Sequence, residues 1–364
     1  MSEAIIARGG RKGGEYSTSK LVTEVYTSST LWVVPSNAVN NEFSVRIFGG
    51  GGGGYYSFGG DFPTISERSS AGGGGWMNNA EIQLTPGNMI EIMIGSGGKG
   101  TIVNDGDENS AMANSISRTG GTTFFGTYLS ANGASSGNFY DRNNVRGGDG
   151  GSGGGGGGIG YQFGGGASLS STIANGGNGG PWGGGGGSWN NYGIGGTYGG
   201  NGGYRTIQAE NGTNTIGWTN VGTYLNGEYI TGRGLGGGQC GGGGGYGGDG
   251  GNSYFSAGIA DAYGGGGGYG AKGGNSGGGG GGYGRMGNGG DGVPSSATSF
   301  TFSAYGGGGA YGRGGSVYNN GVALPPLFGG GGYCIELLNI PESQWYRYNF
   351  DGADGICIIQ YYSI

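Results

Sequence analysis

The sequence lacks histidine altogether, and only 10% of its 364 residues carry a charge. Without histidine, the Ser–His and Cys–His pairs that activate a nucleophile in many hydrolases are excluded. Cysteine occurs three times, at Cys240, Cys334 and Cys357, without the spacing of a metal site. Cys334 and Cys357 could form a disulfide, but three buried free thiols are the favoured interpretation.

The balance of charge and the lack of long apolar runs limit the partners. The net charge of −6 argues against binding to nucleic acid or to an anionic membrane surface. No apolar stretch approaches the length of a membrane-spanning helix, so membrane insertion is not expected. Near the N-terminus the apolar run covers residues 4–7 alone, which is too short for a signal peptide. We therefore expect synthesis in a cytoplasm without a signal peptide.

Glycine is what the sequence has in excess, with 109 copies. The longest stretch, residues 147–158, reads GGDGGSGGGGGG, and GGX triplets surround other runs. A repeat of three fits neither an α-helix nor a β-strand, but it is the period of the polyproline-II-type helix. The pure glycine runs are residues 49–54, 183–187, 241–245, 264–268, 277–282, 306–309 and 329–332.

A polyglycine helix has no side chains to bury, and its N–H and C=O groups point sideways. Ordering each residue costs roughly 1–2 kcal/mol, whereas a hydrogen bond returns only about 0.5–1.5 kcal/mol net. Such helices must therefore pack densely side by side and be anchored by an ordinary hydrophobic core. The alternative is low-complexity disorder. The low charge and the 12% aromatic content favour an ordered polyglycine-II bundle.

Both ends of the chain carry strand patterns that could supply this core. Residues 80–85 and 89–94 alternate around the turn Pro86-Gly87-Asn88, which predicts a β-hairpin with Ile90, Ile92 and Ile94 on one face. We expect an antiparallel sheet or sandwich of about six strands and almost no α-helix. Further strands are predicted at residues 21–26, 31–34, 43–48 and 355–362.

These patterns divide the chain into two parts. Residues 1–48, with the hairpin 79–94 and the C-terminal strand 355–362, are predicted to form a β attachment base. Residues 49–354 are predicted to form the polyglycine-II bundle with its loops. Helices that run back and forth place loops at both ends, so aromatic and amide loops should lie opposite the base. The predicted loops are residues 55–71, 101–119, 127–146, 204–235, 252–263, 293–305, 316–328 and 333–354.

Several framing motifs resemble a known family. They are Trp32-Val-Val-Pro35, the strand 43–48 running into glycine, Leu84-Thr-Pro-Gly87 and the closing strand Gly355-Ile-Cys-Ile-Ile-Gln-Tyr361. Together they resemble the glycine-rich domain of bacteriophage tail-fibre and receptor-binding proteins. The glycine-rich body is similar to the long-tail-fibre tip adhesins of T-even-type phages, whose fold is a sandwich of polyglycine-II helices.

The resemblance covers roughly residues 30–364, and it departs from the family at residues 204–235 and 333–354. It implies a virion protein made in the host cytoplasm, contacts with other tail-fibre or virion proteins, and distal loops that bind a bacterial surface protein or glycan. The resemblance assigns no binding residue in this sequence, because the distal loops of the family have no fixed motif.

Aromatic residues in the predicted loops are the candidates for receptor binding, because Tyr and Trp give large contact areas at low entropic cost. The alternative is that they cap helix ends or pack as a small core within the loops. The candidates are Tyr55, Tyr56, Phe58, Trp218, Tyr224, Tyr229, Tyr254, Phe255, Trp345, Tyr346 and Tyr348.

Little in the sequence indicates catalysis or a cofactor. Asp105, Asp107 and Asn109 match the first positions of a calcium loop, but Ser110 and Ile116 stand where glycine and glutamate are required. Matches to G-x-G-x-x-G follow from composition alone. We expect no metal, no cofactor and no enzymatic activity, although spacing alone does not exclude a carboxylate pair for glycan cleavage.

The leading hypothesis is a phage adhesin at the tip of a tail fibre. A non-catalytic structural component of the virion and an ice-binding polyglycine-II protein are the alternatives. Tyr, Asp and Asn at the X positions fit poorly with the flat faces of small residues that ice binding requires. Homo-oligomer formation is left open.

Overall fold

A computed structural model gives the fold of the chain. It describes residues 19–59, 66–70, 72–104, 119–135, 138–141, 144–146, 159–163, 173–175, 178, 194–195, 201–202, 210, 215–218, 229–232, 249–252, 254–256, 259–262, 272–273, 275, 281, 288–289, 309, 312–317, 323–332, 334–339, 344–349 and 351–364. The glycine stretch 147–158, the calcium-like residues 105–118 and the predicted loop 293–305 lie outside these residues.

Helical structure is almost absent from this part of the chain. The one helical element among the described residues is a 3₁₀ turn at Val39–Asn41. None of them forms a helix that has the length and apolar character to cross a membrane. The expectation of almost no α-helix is confirmed for the described residues.

Two antiparallel sheets of four strands each form a sandwich. The first sheet has the order β1-β23-β3-β6, and the second has the order β10-β9-β7-β2. The first contains β1 (Lys20–Tyr26), β3 (Glu42–Phe48), β6 (Met77–Gln83) and β23 (Ile356–Ser363). The second contains β2 (Thr30–Val33), β7 (Met89–Met93), β9 (Thr123–Phe125) and β10 (Leu129–Ala131).

The hydrophobic core lies between these sheets, and alternation along the strands explains it. Phe43, Val45 and Ile47 are fully buried on β3, and they are the three residues that the period-two pattern placed on one face. Trp32 crosses from the second sheet and meets the ring of Phe43 edge to face, with centroids 5.4 Å apart. The other core residues include Val34, Ile90, Ile92, Phe125, Leu129, Cys357, Ile359 and Tyr361.

The predicted hairpin over residues 79–94 is wrong. Its two strands form, but β6 pairs with β3 in the first sheet and β7 pairs with β2 in the second. The turn between them is hydrogen-bonded to the residue after β2, since Gly87 N–H donates to Val34 O at 2.9 Å. If β6 and β7 were paired in a hairpin, their apolar residues would lie on one face of a single sheet, and another layer would have to cover that face. By changing sheets, Ile82 and Ile90 each contribute to the same core from opposite layers.

The carboxylate of Glu24 is hydrogen-bonded to side chains of both sheets. Glu24 accepts hydrogen bonds from the indole Nε1 of Trp32 at 2.9 Å and from the hydroxyl of Tyr361 at 2.9 Å, and also from Tyr26. Burial, and then the hydrogen bond to Glu24, raise the pKa of Tyr361 to about 12. Burial likewise raises the pKa of Cys357 to about 12, and this residue is a free thiol, so it does not pair with Cys334.

The glycine run 49–54 is buried and hydrogen-bonded to its neighbours by its backbone. Gly49 N–H donates to Trp76 O at 2.9 Å and Gly52 N–H to Gly73 O at 3.0 Å. Donors three residues apart therefore reach the same neighbouring segment. The two residues between them donate elsewhere, Gly50 to residue 121 and Gly51 to residue 353.

Six segments surround this run, whereas a β-strand has at most two hydrogen-bonded neighbours. The carbonyls of residues 50, 51 and 52 accept from residues 134, 98 and 332, which adds three further neighbours to the three that accept its N–H groups. We call this run and the six stretches around it the glycine segments. They are residues 49–54, 72–76, 95–100, 119–122, 132–135, 329–332 and 351–355.

Glycine is required at these contacts because no side chain fits. A β-carbon on Gly51 would overlap the carbonyl oxygen of Gly330, and one on Gly72 would overlap that of Gly52. The backbones of adjacent segments thus lie in direct contact. The packing here is between main chains, with no side-chain layer between them.

Several segments predicted as loops contain strands, which corrects that prediction for the strand residues; the described residues 127–128, 132–135, 325–328 and 351–354 are not strand. Residues 55–59 and 66–70 pair as an antiparallel hairpin. Alternating aromatic and β-branched residues favour strands even between glycine runs. The other strands here are β8 (Thr101–Asn104), β11 (Asn138–Asp141), β12 (Asn144–Arg146), β15 (Thr215–Trp218), β16 (Tyr229–Gly232), β17 (Tyr254–Ser256), β18 (Ile259–Ala262), β19 (Ser316–Val317), β20 (Ala323–Leu324), β21 (Cys334–Asn339) and β22 (Gln344–Asn349).

Four strands remain to be described, namely the two strands of this hairpin and two others. The hairpin strands are β4 (Tyr55–Gly59) and β5 (Ser66–Ser70), and the others are β13 (Ile159–Phe163) and β14 (Ile173–Asn175). A six-stranded sheet, which we call the distal sheet, has the order β17-β18-β13-β5-β4-β8. All its pairs are antiparallel except β4 with β8.

Substituting Gly51→Ala should destabilise the fold by about 3 kcal/mol or more, because the new methyl group overlaps a backbone carbonyl that cannot move alone. Gly87→Ala is the control. Gly87 has φ +81° with open space around it, so that variant should lose only about 1 kcal/mol from backbone strain. Urea unfolding followed by intrinsic fluorescence measures both, and equal losses would contradict the main-chain contact.

Alkaline pH should destabilise the sandwich through Tyr361. Its pKa is raised in the folded state, so this stabilisation is complete below pH about 10 and is lost as the pH rises through about 12. Tyr361→Phe should therefore flatten the fall in urea midpoint between pH 9 and pH 11. Tyr362→Phe, on the neighbouring half-exposed ring, is the control and should leave the fall unchanged.

Candidate functional site

The path of the chain places the distal sheet beyond the glycine segments. Strand β3 of the sandwich runs into residues 49–54, which lead to β4, and β5 returns through residues 72–76 to β6. Strand β7 likewise leads through residues 95–100 to β8. Six residues of extended chain span about 20 Å. The distal sheet and the sandwich therefore lie at opposite ends of these segments.

A second hairpin emerges at the same end. Residues 329–332 lead to β21, β22 follows, and residues 351–355 return the chain to β23 in the sandwich. Strand β21 approaches β4 of the distal sheet. The far end thus combines the distal sheet with the hairpin β21–β22.

Five of the candidate aromatic residues belong to the distal sheet. Tyr55, Tyr56 and Phe58 lie on β4, whereas Tyr254 and Phe255 lie on the edge strand β17. Three strands separate β4 from β17, so their backbones are about 19 Å apart at the usual strand spacing. The two groups thus belong to one sheet, but their backbones are not adjacent.

The other candidates lie on separate hairpins. Trp218 and Tyr229 are directly opposite each other in the pair β15–β16. In β22, Trp345, Tyr346 and Tyr348 pair with Leu338, Leu337 and Ile335 of β21. Tyr224 lies outside the described residues. The role of each candidate in binding remains a prediction.

The central strand of the distal sheet is absent from the strands and loops predicted from the sequence. Strand β13 carries Tyr161 and Phe163, and it pairs with β5 so that Tyr161 lies opposite Arg68. The signal was present, since Ile159-Gly-Tyr-Gln-Phe163 alternates with period two. The glycine around this stretch concealed it.

A groove of about 380 Å³ lies at the other end of the molecule, on the first sheet of the sandwich. Its lining is mixed, with Leu21, Glu42, Asn79, Glu81 and Tyr362 among the residues. No group of three Cys, Asp or Glu side chains in the described part of the chain could hold a metal ion. This groove is remote from the distal sheet.

A scan against protein-family models finds no matching family. A search of curated proteins finds no significant match. The functional interpretation therefore depends on the chain's own residues, on its geometry and on the motif resemblance stated above.

Removing the hairpin β21–β22 should leave the fold intact. Cys334 and Asn349 are opposite each other, so an Asn-Gly turn can replace residues 335–348. The core and the glycine-segment hydrogen bonds lie outside the hairpin, so the thermal midpoint should stay within about 3 °C of the wild type. The same exchange at residues 216–231, between Thr215 and Gly232, is a parallel test. Loss of cooperative unfolding in either variant would show that these hairpins are structural.

Proposed function

We propose that the glycine runs within residues 49–354 form a bundle of polyglycine-II helices, and that the strands described above connect them. The hydrogen bonds that support this proposal recur every third residue, as a threefold helix requires. Gly72 and Gly75 N–H groups, for example, donate to residues 332 and 329 at 3.1 and 2.9 Å. Such a helix directs its N–H groups to three sides in turn, which gives each segment several neighbours instead of two.

We infer that the protein is a phage virion adhesin that binds a bacterial surface protein or glycan at the end of a tail fibre. The observation that carries this inference is the separation of ends: a sandwich with an ordinary core lies at one end, and aromatic-rich strands lie at the other. The framing motifs around Pro35, Pro86 and Gly355 resemble those of phage receptor-binding proteins. In this proposal the sandwich attaches the chain to other virion proteins.

A binding assay on whole bacteria tests the proposal. The fluorescently labelled protein is incubated with a panel of bacterial strains, and selective binding to some strains is expected. Because a few aromatic residues dominate most interfaces, Trp218→Ala with Tyr229→Ala, or exchange of the hairpin β21–β22, should weaken binding about tenfold or more. Blocking of phage adsorption by the same proteins gives a second readout.

The control variant changes the opposite end of the molecule. Leu31 and Met89 are 57% and 67% exposed on the second sheet, so Leu31→Ser with Met89→Ser should leave bacterial binding unchanged. Binding to no strain would favour a structural virion component. Thermal hysteresis in the protein solution would favour ice binding instead.

A further inference from the structure

The glycine segment 95–100 is hydrogen-bonded differently on its inner and outer sides. Inward, the buried Gly98 donates its N–H to Gly51 O at 2.8 Å. Outward, the half-buried Gly97 and Gly100 donate to carboxylates, namely Asp354 Oδ1 at 2.7 Å and Asp351 Oδ1 at 2.8 Å. The N–H groups of Gly97 and Gly100 are thus bonded to side-chain oxygens, whereas the N–H group of Gly98 is bonded to a main-chain carbonyl.

The spacing of the carboxylates matches the threefold repeat. Asp351 and Asp354 are three residues apart, as are the glycines that they bond. The intervening backbone is in register too, because Gly352 N–H donates to Gly98 O and Gly355 N–H to Gly95 O, both at 2.8 Å. Lys99 Nζ contacts Asp351 Oδ2 at 2.6 Å, which raises the pKa of the lysine and holds this carboxylate at the edge.

Among the described residues, asparagine amides beside glycine pairs make the same bond at four other places. Each of these asparagines adjoins a pair of glycines in the sequence, and its Oδ1 accepts a main-chain N–H. Three of the four bonds are exposed, as expected at the edge of a bundle. The pairs are Asn178 with Ile194 N at 2.9 Å, Asn201 with Gly195 N at 3.0 Å, Asn275 with Asn252 N at 2.8 Å and Asn288 with Lys272 N at 2.8 Å.

We propose that these side-chain oxygens close the flank of the glycine bundle against a glycine segment from a second copy of the chain. An open flank would present N–H donors at every third residue, and a glycine segment presents carbonyls at the same interval. This resembles the open edge of a β-sheet, which recruits further strands unless it is blocked. The outer edge at Gly97–Gly100 is the docking site that Asp351 and Asp354 occupy.

The test compares loss of the oxygens with loss of the charge alone. Asp351→Ala with Asp354→Ala removes both acceptors, whereas Asp351→Asn with Asp354→Asn keeps an acceptor oxygen at each position. In the alanine variant, exchange of the Gly97 and Gly100 amides with solvent should accelerate at least about tenfold, the effect of losing a hydrogen bond to a charged acceptor. Sedimentation velocity should show concentration-dependent association beyond the wild-type state.

The asparagine variant should exchange slowly and sediment as the wild type does. Asp354→Ala alone, which keeps the bonds of Asp351, provides the same comparison if the double alanine variant does not fold. Glu81→Ala, at an exposed position on the sandwich, controls for the loss of charge. The proposal is overturned if the alanine variants exchange as slowly as the wild type, if they exchange faster without associating, or if the asparagine variant associates equally.

Discussion

The fold depends on direct hydrogen bonding between main chains that lie close enough to exclude a β-carbon at glycines such as Gly51. Around Gly51 this contact is complete, since its N–H donates to Ala353 O and its carbonyl accepts from Gly98. Conventional domains separate their backbones by layers of side chains and derive stability from apolar area. Among the described residues the hydrophobic core lies in the sandwich, and the glycine segments rely on satisfied polar groups at high packing density.

This arrangement explains why both kinds of structure are needed together. Hydrogen bonds return little net free energy against the entropy of ordering glycine, so the segments need strands that fix their ends. The sandwich does this directly: Thr123, fully buried on β9, accepts the N–H of Gly95 where β7 passes into a glycine segment. Each such junction fixes the end of a glycine segment against the sandwich.

Residue composition and period-two patterns were sufficient to predict β1, β2, β3 and β23. Alternation placed Ile90, Ile92 and Ile94 on one face, and this face packs on the core. They could not identify β9 and β10, because strands of three residues contain too little alternation to recognise. They also could not choose partners for β6 and β7, because pairing depends on which layer each apolar face must cover. In the same way, the period of three gave no indication of which glycine segments are neighbours.

The candidate site was predicted by composition and corrected by connectivity. Aromatic content singled out β4, β17 and β22. Strand β13 also carries two aromatic residues, but glycine surrounds it, and its position became evident only from its pairing with β5. Because the hairpins join glycine segments whose own hydrogen bonds are made elsewhere, their sequences are free of the constraint that fixes the segments. A surface built this way can change its contact residues without changing the contacts that hold the molecule together, which the proposed recognition of bacterial surfaces would require.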